Sequence, residues 1–232
     1  VTPSVNVSVM VQAHPRRSEM AHALAAEVDG TVVFDPEPDG ARASPWRCYR
    51  HCLASTPGFE SGFAAAGSAS HVLVLQDDAA VCHGFIDVFH AAVRARSDRV
   101  LVFFVSGMPV EHSRAVLEAC ARDEPWAVID TARWCSAVAT CWPVRHVHPM
   151  LRFVDAQRWP ETFTADDEII GRYLRHAGER PLASVPSLVQ HPDMVPSLVG
   201  RKDRQGQDPG RVAACFADPG CDLSLIDWTR GP

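Results

Sequence analysis

Short apolar runs alternate with amphipathic stretches along this chain, and that rhythm predicts its elements. Residues 5–12 are apolar and β-branched and predict a first strand, followed by a loop, Ala13-His14-Pro15-Arg16-Arg17. Ser18 can cap a helix reaching about residue 28. Residues 31–34 predict a second strand that ends on Asp35, with Pro36 and Pro38 breaking regular structure beyond it. A helix is expected over 45–55, and a further one through about residue 66. The run 71–76 predicts a buried strand, 84–95 a helix, and 99–105 a strand whose unbroken apolar character suits a central position. Strand, helix, strand order of this kind implies a mainly parallel α/β sheet with crossover helices.

Beyond residue 125 the pattern changes. Residues 126–129 and 135–142 read as strands with no long helix between them, which predicts a smaller mixed or antiparallel C-terminal part. Asp166-Asp167-Glu168 opens an amphipathic helix, and 181–189 contains a short strand that ends at Gln190-His191-Pro192. The stretch 201–232, rich in Arg, Asp, Gly and Pro, reads as a flexible tail with a short closing segment. The fold class expected is therefore α/β, with a mainly parallel central sheet flanked by helices.

Composition narrows the function classes. A formal net charge of −6 argues against a protein that coats nucleic acid through phosphate contacts. No apolar run approaches the roughly 18–20 residues that span a bilayer, and the first residues lack the basic and apolar segments of a secretory signal. A cytoplasmic protein without a membrane span is expected.

The chemistry concentrates where the 71–76 run stops on Asp77-Asp78. In open α/β sheets ligands bind at the carboxyl ends of the strands. Two adjacent carboxylates there repel unless a cation or a donor network neutralises them. A divalent metal holding a diphosphate is the economical functional reading; a solvated turn and helix cap is the plain structural one. Gln76 and Asp78 share a side of an extended strand by alternation.

The order of four pieces resembles a known superfamily: Gln12-Ala13-His14-Pro15-Arg16-Arg17; Ser44-Pro45-Trp46-Arg47 ahead of a helix; Val74-Leu75-Gln76-Asp77-Asp78-Ala79; and Ala165-Asp166-Asp167-Glu168 with Pro186-Ser187-Leu188-Val189-Gln190-His191. The chain looks like a small bacterial or phage glycosyltransferase of the GT-A fold, a Rossmann-like architecture. The resemblance covers 1–200 as one domain, with 1–105 as the nucleotide-sugar half and 106–200 as the acceptor half. It implies hexosyl transfer from a nucleotide-sugar donor, usually a UDP-sugar, to an unknown hydroxyl acceptor, with Mn²⁺ or Mg²⁺ as cofactor. The acceptor is a small molecule, a glycan or, as a minority option, a nucleic acid.

On that resemblance Asp78 is the preferred metal ligand, with Asp77 beside it and His191 as a late His completing the shell. Gln76 stands where the family has an acid, and suits a ribose hydroxyl better than a cation. Arg16 or Arg17 would touch the diphosphate, and Asp35 the nucleobase or ribose. Asp167 or Asp166 would deprotonate the acceptor hydroxyl in an inverting reaction, or bind the acceptor in a retaining one.

Other residues have plainer readings. Trp134, Trp142 and Trp159 suit either a sugar-binding wall or a core. Arg145, His146 and His148 suit contact with an acceptor or a phosphate or, more plainly, a flexible surface loop. Among eight cysteines there is no Cys-x-x-Cys; most read as buried small hydrophobes, with Cys215/Cys221 the best disulfide candidate. Cys48, His51 and Cys52 lack a fourth ligand nearby. Two rival functions use the same residues. A phosphohydrolase would gather Asp77, Asp78, Asp166, Asp167 and His191 around two metals, and a non-catalytic binding module would hold a nucleotide or sugar without turnover.

Overall fold

The computed structural model describes residues 5–38, 44–65, 67–131, 135–160, 163, 165–192, 212–217 and 219–232. Its elements, in chain order, are β1 (Val7–Ala13), α1 (Ser18–Glu27), β2 (Thr31–Phe34), α2 (Pro45–Ala54), β3 (His71–Gln76), β4 (Ala80–Val81), α3 (Phe85–Ala95), β5 (Leu101–Val102), α4 (Val110–Ala121), β6 (Trp126–Val128), β7 (Ala139–Pro143), α5 (Val147–Asp155), α6 (Asp166–Ala177), β8 (Leu182–Ser184) and β9 (Val189–Gln190). Seven strands form one sheet in the order β2-β1-β3-β7-β5-β8-β6, and β4 pairs with β9 in a small antiparallel sheet. Five strands of the main sheet run one way, with β7 and β6 against them. The fold is α/β, as the alternation predicts.

Both faces of this sheet are buried, and strand periodicity sorts the residues between them. Leu73 and Leu75 of β3 join Val9 and Val11 of β1 in a core with α1 and α3. Val72 and Val74 join Met10 on the opposite face, against α2, α4, α5 and α6. The run 71–76 carries no polar interruption because neither face meets solvent. Alternation also sends Gln12, two residues after Met10, toward α2 and α6, which sets up the site described below.

Several expectations are corrected. No helix continues to residue 65: Gly58, Gly62 and Phe63 adopt φ values of +92°, +66° and +62°, a left-handed backbone that a helix does not contain. The strand expected over 99–105 is regular only at Leu101–Val102, and it lies inside the sheet between β7 and β8. Helix α4 occupies a stretch to which the apolar pattern assigns no element. Arg145, His146 and His148 lie in a helical segment rather than a surface loop: His146 is buried with its Nδ1 3.1 Å from the Tyr173 hydroxyl, and α5 starts at Val147. Trp142 is wholly buried, a core residue. Trp159 is half-buried between Phe153 and Phe163, and Trp134 lies outside the described residues. His51 is exposed whereas Cys48 and Cys52 are buried.

The tail expected over 201–232 includes residues 201–211, which lie outside the described residues. Its described parts are tied to the body. Segment 212–217 forms bridges from Ala213 to Ser106 and from Phe216 to Ser187. Trp228 packs on Trp126, whose indole N–H donates to the Trp228 carbonyl at 2.9 Å, and Arg96 donates to the carbonyls of Thr229, Arg230 and Gly231. No helix among the described residues is long and apolar enough to cross a membrane.

Inside the α2/α6 face, the Trp142 indole N–H donates to the Tyr49 hydroxyl at 2.6 Å, and both residues are fully buried. Tyr49→Phe removes that acceptor and leaves a buried N–H unsatisfied. Urea denaturation should show a loss of about 1–3 kcal/mol at unchanged secondary structure; a neutral substitution would mean that this part of the core is arranged differently.

Candidate functional site

Parallel pairing of β1 with β3 puts Gln12 opposite Gln76, so both strands end at the same level. The chain continues the pairing for one step, with the Asp77 N–H donating to the Gln12 carbonyl at 3.0 Å. Beyond that point the two loops close on each other. The His14 N–H donates to Asp77 Oδ2 at 2.9 Å. Arg17 Nη1 then donates to Asp77 Oδ1 at 2.8 Å and to Asp78 Oδ2 at 2.7 Å, bridging the two carboxylates. The donor network that the acid pair requires is thus supplied in part by the chain itself.

His191 reaches the same acid from the other side. It follows β9, whose pairing with β4 draws the late segment 189–191 onto the loop after β3. Its Nε2 is 3.2 Å from Asp78 Oδ1, and its backbone N–H donates to its neighbour Gln190 Oε1 at 3.0 Å. Burial pushes the Asp78 carboxyl up, but the His191 hydrogen bond and the Arg17 charge outweigh it and hold it down at about 2. Burial raises Asp77 above the usual carboxylate range despite its two donors. Asp78 is the firmer anion of the pair.

The same Asp78 and His191 atoms bear on a divalent cation. Their 3.2 Å separation lies near the roughly 3 Å between adjacent ligands of an octahedral ion bonded at about 2.1 Å. Asp78 and His191, in contact with each other here, could supply at most two protein ligands to a divalent cation, and imidazole suits Mn²⁺ better than Mg²⁺. Asp77 is placed differently, with each oxygen already accepting a hydrogen bond from its own fold. Among the described residues, no three His, Cys, Asp or Glu side chains converge on a possible metal position, as a two-metal centre would need.

The acids of α6 reach this edge through Gln12. Its Nε2 donates to the Pro45 carbonyl at 2.9 Å and to Asp166 Oδ2 at 3.4 Å. Gln12 Oε1 is buried without a hydrogen-bond partner among the described residues. Asp166 is buried, whereas Asp167 is half-exposed at the helix start, and the Asp167 N–H donates to Asp166 Oδ1 at 2.9 Å. The sequence pattern leaves the two acids interchangeable. Their environments separate them: Asp166 is buried with Gln12 at its carboxylate, and Asp167 is half-exposed.

Asp35 lies one strand further along the same edge. Its Oδ1 and Oδ2 accept from Arg47 Nε and Nη2 at 2.8 and 3.0 Å, a bidentate pair. Ser44 caps α2 by accepting from the Arg47 N–H at 3.1 Å, which places that arginine. Arg16 is exposed, and Gln76 is half-buried at the end of β3. Gln12, His14 and Arg47 join the site as residues to which the sequence pattern assigns no role. The available signals were a polar residue closing an apolar strand and a basic residue in the first turn after a Ser-Pro cap.

Burial first, and the Asp167 charge second, push Asp166 up to about 7, whereas an unfolded Asp titrates near 4. Between those values the folded chain keeps a proton that the unfolded chain has lost. The stability this contributes is complete below about pH 4, declines from there, and is gone above about pH 7. Urea unfolding at pH 5 and pH 8 should show the wild type losing roughly 3 kcal/mol more than Asp166→Asn, which cannot ionise. Equal losses in both proteins would remove Asp166 as the source.

No protein-family model matches this sequence, and no curated protein is detectably similar to it. Function must therefore be argued from the site itself.

Proposed function

We propose that the chain is a glycosyltransferase that moves a sugar, of hexosyl type, from a nucleotide-sugar donor to a hydroxyl acceptor. The observation that carries this reading is the Gln12–Asp166 contact. It brings the start of α6, with the half-exposed Asp167, to the sheet edge that holds Arg17, Asp78 and His191. A diphosphate-binding cluster and a separate carboxylate base are the two parts that inverting sugar transfer requires.

In this reading the donor diphosphate lies against Asp78, His191 and Arg17. Asp78 and His191 would hold a divalent ion, Mn²⁺ or Mg²⁺, which when bound would supply Lewis-acid stabilisation of the charge developing on the leaving diphosphate. Arg17 adds a fixed positive charge beside that position. Asp35 and Arg47, at the neighbouring strand end, face the nucleoside side of the donor. Asp167 takes the proton of the acceptor hydroxyl as its oxygen bonds to the anomeric carbon. The bond from that carbon to the phosphate oxygen breaks, and its electron pair leaves with the nucleoside diphosphate. Asp166 is a positioning residue here, holding the Asp167 amide and anchoring α6 to β1. A UDP-sugar is the donor we favour, and the site belongs to one domain spanning both halves of the sheet.

Thermal-shift measurements with UDP-, GDP-, TDP- and ADP-sugars, each with and without Mn²⁺, test the donor site. One nucleotide sugar should raise Tm only together with the metal, and Asp78→Ala should abolish that rise. With the donor so identified, Asp167→Asn should lower kcat by about 10²- to 10⁴-fold with donor affinity unchanged. Absence of any nucleotide-dependent shift would overturn the reading. Phosphate release from a nucleotide without an acceptor would replace it with hydrolysis.

A further inference from the structure

Cys215 belongs to the segment 212–217, which is laced into the rim of the sheet. The Ala214 N–H donates to the Val105 carbonyl at 2.8 Å, the Ser187 N–H to the Cys215 carbonyl at 2.7 Å, and the Ala217 N–H to the Ser187 carbonyl at 3.0 Å. This segment also touches the edge described above, because the Ala213 N–H donates to Gln190 Oε1 at 2.7 Å, the oxygen that also holds the His191 amide. The Cys215 thiol does not stand alone. Its Sγ lies 3.6 Å from the Sγ of Cys120, at the exposed end of α4 and 95 residues earlier in the chain. Sequence proximity favours Cys221 as the partner of Cys215; the thiol in contact with it is instead on a helix.

We propose that Cys120 and Cys215 are a thiol–disulfide modification site, joined reversibly by small disulfide oxidants such as oxidised glutathione. Disulfide sulfurs bond at about 2.05 Å, so these two thiols, at 3.6 Å, have only about 1.5 Å left to close. Cys120 is exposed and Cys215 half-buried, which sets the order of events. The Cys120 thiolate attacks the oxidised glutathione, its S–S bond breaks, and one glutathione leaves as thiolate. The Cys215 thiolate then attacks Cys120 Sγ, and the second glutathione leaves. Two thiols are oxidised, one external disulfide is reduced to two thiols, and the protons pass through solvent. Burial, and next the hydrogen bond to Cys120, push the Cys215 thiol up to about 11, consistent with its acting second.

The consequence is mechanical. The bond staples segment 212–217 to α4 and thereby steadies Gln190, which orients the His191 backbone. It closes a loop of 95 residues, long enough for a large reduction in unfolded-state freedom. This inference stands on the thiol geometry and does not require the glycosyltransferase reading.

The test uses the full chain, reduced or equilibrated with oxidised glutathione, then alkylated under denaturing conditions and measured by intact mass and peptide mapping. Six of the eight cysteines should be alkylated after oxidation, with one Cys120–Cys215 linkage. Tm of the oxidised form should rise by about 5 °C or more, and amide exchange should slow at residues 212–217. Both changes should vanish in Cys120→Ser, whose reduced Tm should match the reduced wild type, and persist in Cys221→Ser. Eight alkylated thiols after oxidation, a persistent glutathione adduct, or a linkage of Cys215 to Cys221 would each overturn the proposal. Cys120→Ala serves as a second variant, and identical oxidation-induced shifts in it and the wild type would do the same.

Discussion

One guanidinium holds together the carboxyl edge of the sheet. The parallel register of β1 with β3 brings two strand ends level, and the second ends on adjacent carboxylates. Two like charges a few ångströms apart repel by about 4 kcal/mol at 4 Å even at an effective dielectric of 20. Arg17 answers both with a single nitrogen, at 2.8 and 2.7 Å, from the loop leaving the neighbouring strand. Its side chain is largely buried, so the charges are only weakly screened by solvent, and an uncompensated carboxylate there would cost several kcal/mol. The clamp also joins the loop after β1 to the loop after β3, so charge balance and loop geometry are one constraint.

From that clamp the surrounding groups take distinct tasks. Asp77 is engaged internally, by Arg17 and the His14 amide, and Asp78 turns its other oxygen to His191. Gln12, on the opposite face of the same strand end, reaches α6 and fixes where its first turn lies. The raised Asp166 carboxyl fits this arrangement: burial and the Asp167 charge both favour the neutral acid, whereas a second anion would add to the repulsion. The proposed chemistry needs this asymmetry between two residues that are identical in sequence.

Most of the strand and helix order through residue 105 was legible because those elements carry their own signals: apolar runs for buried strands, and Ser44-Pro45 for a helix start whose cap the structure contains. The failures have physical causes. Helix α4 begins after Pro109 with no side-chain cap, and its buried residues are diluted by polar ones such as His112 and Ser113, so its apolar stripe is weak. The three basic residues around 145–148 look solvent-facing, yet His146 is buried because Tyr173 of α6 offers its ring nitrogen a partner. The turns at 58–63 begin at Pro57-Gly58, a dipeptide that marks a turn, so a local signal against a helix was present there, and Gly58, Gly62 and Phe63 take the positive φ of those turns.

By itself the sequence determined the α/β class, the strand carrying Asp77-Asp78 at its carboxyl end, and the set of acids, His191 and arginines worth examining. These arise from local rules: burial on two faces demands continuous apolar runs, and charge collects where such a run must end. Tertiary structure alone decided which arginine bridges the acids, which of Asp166 and Asp167 is buried, that Asp35 pairs with Arg47, and that Cys215 faces Cys120. Each is a contact across the fold rather than along the chain, set by strand order, register and the packing of helices on the sheet, and no local pattern encodes which distant partner arrives.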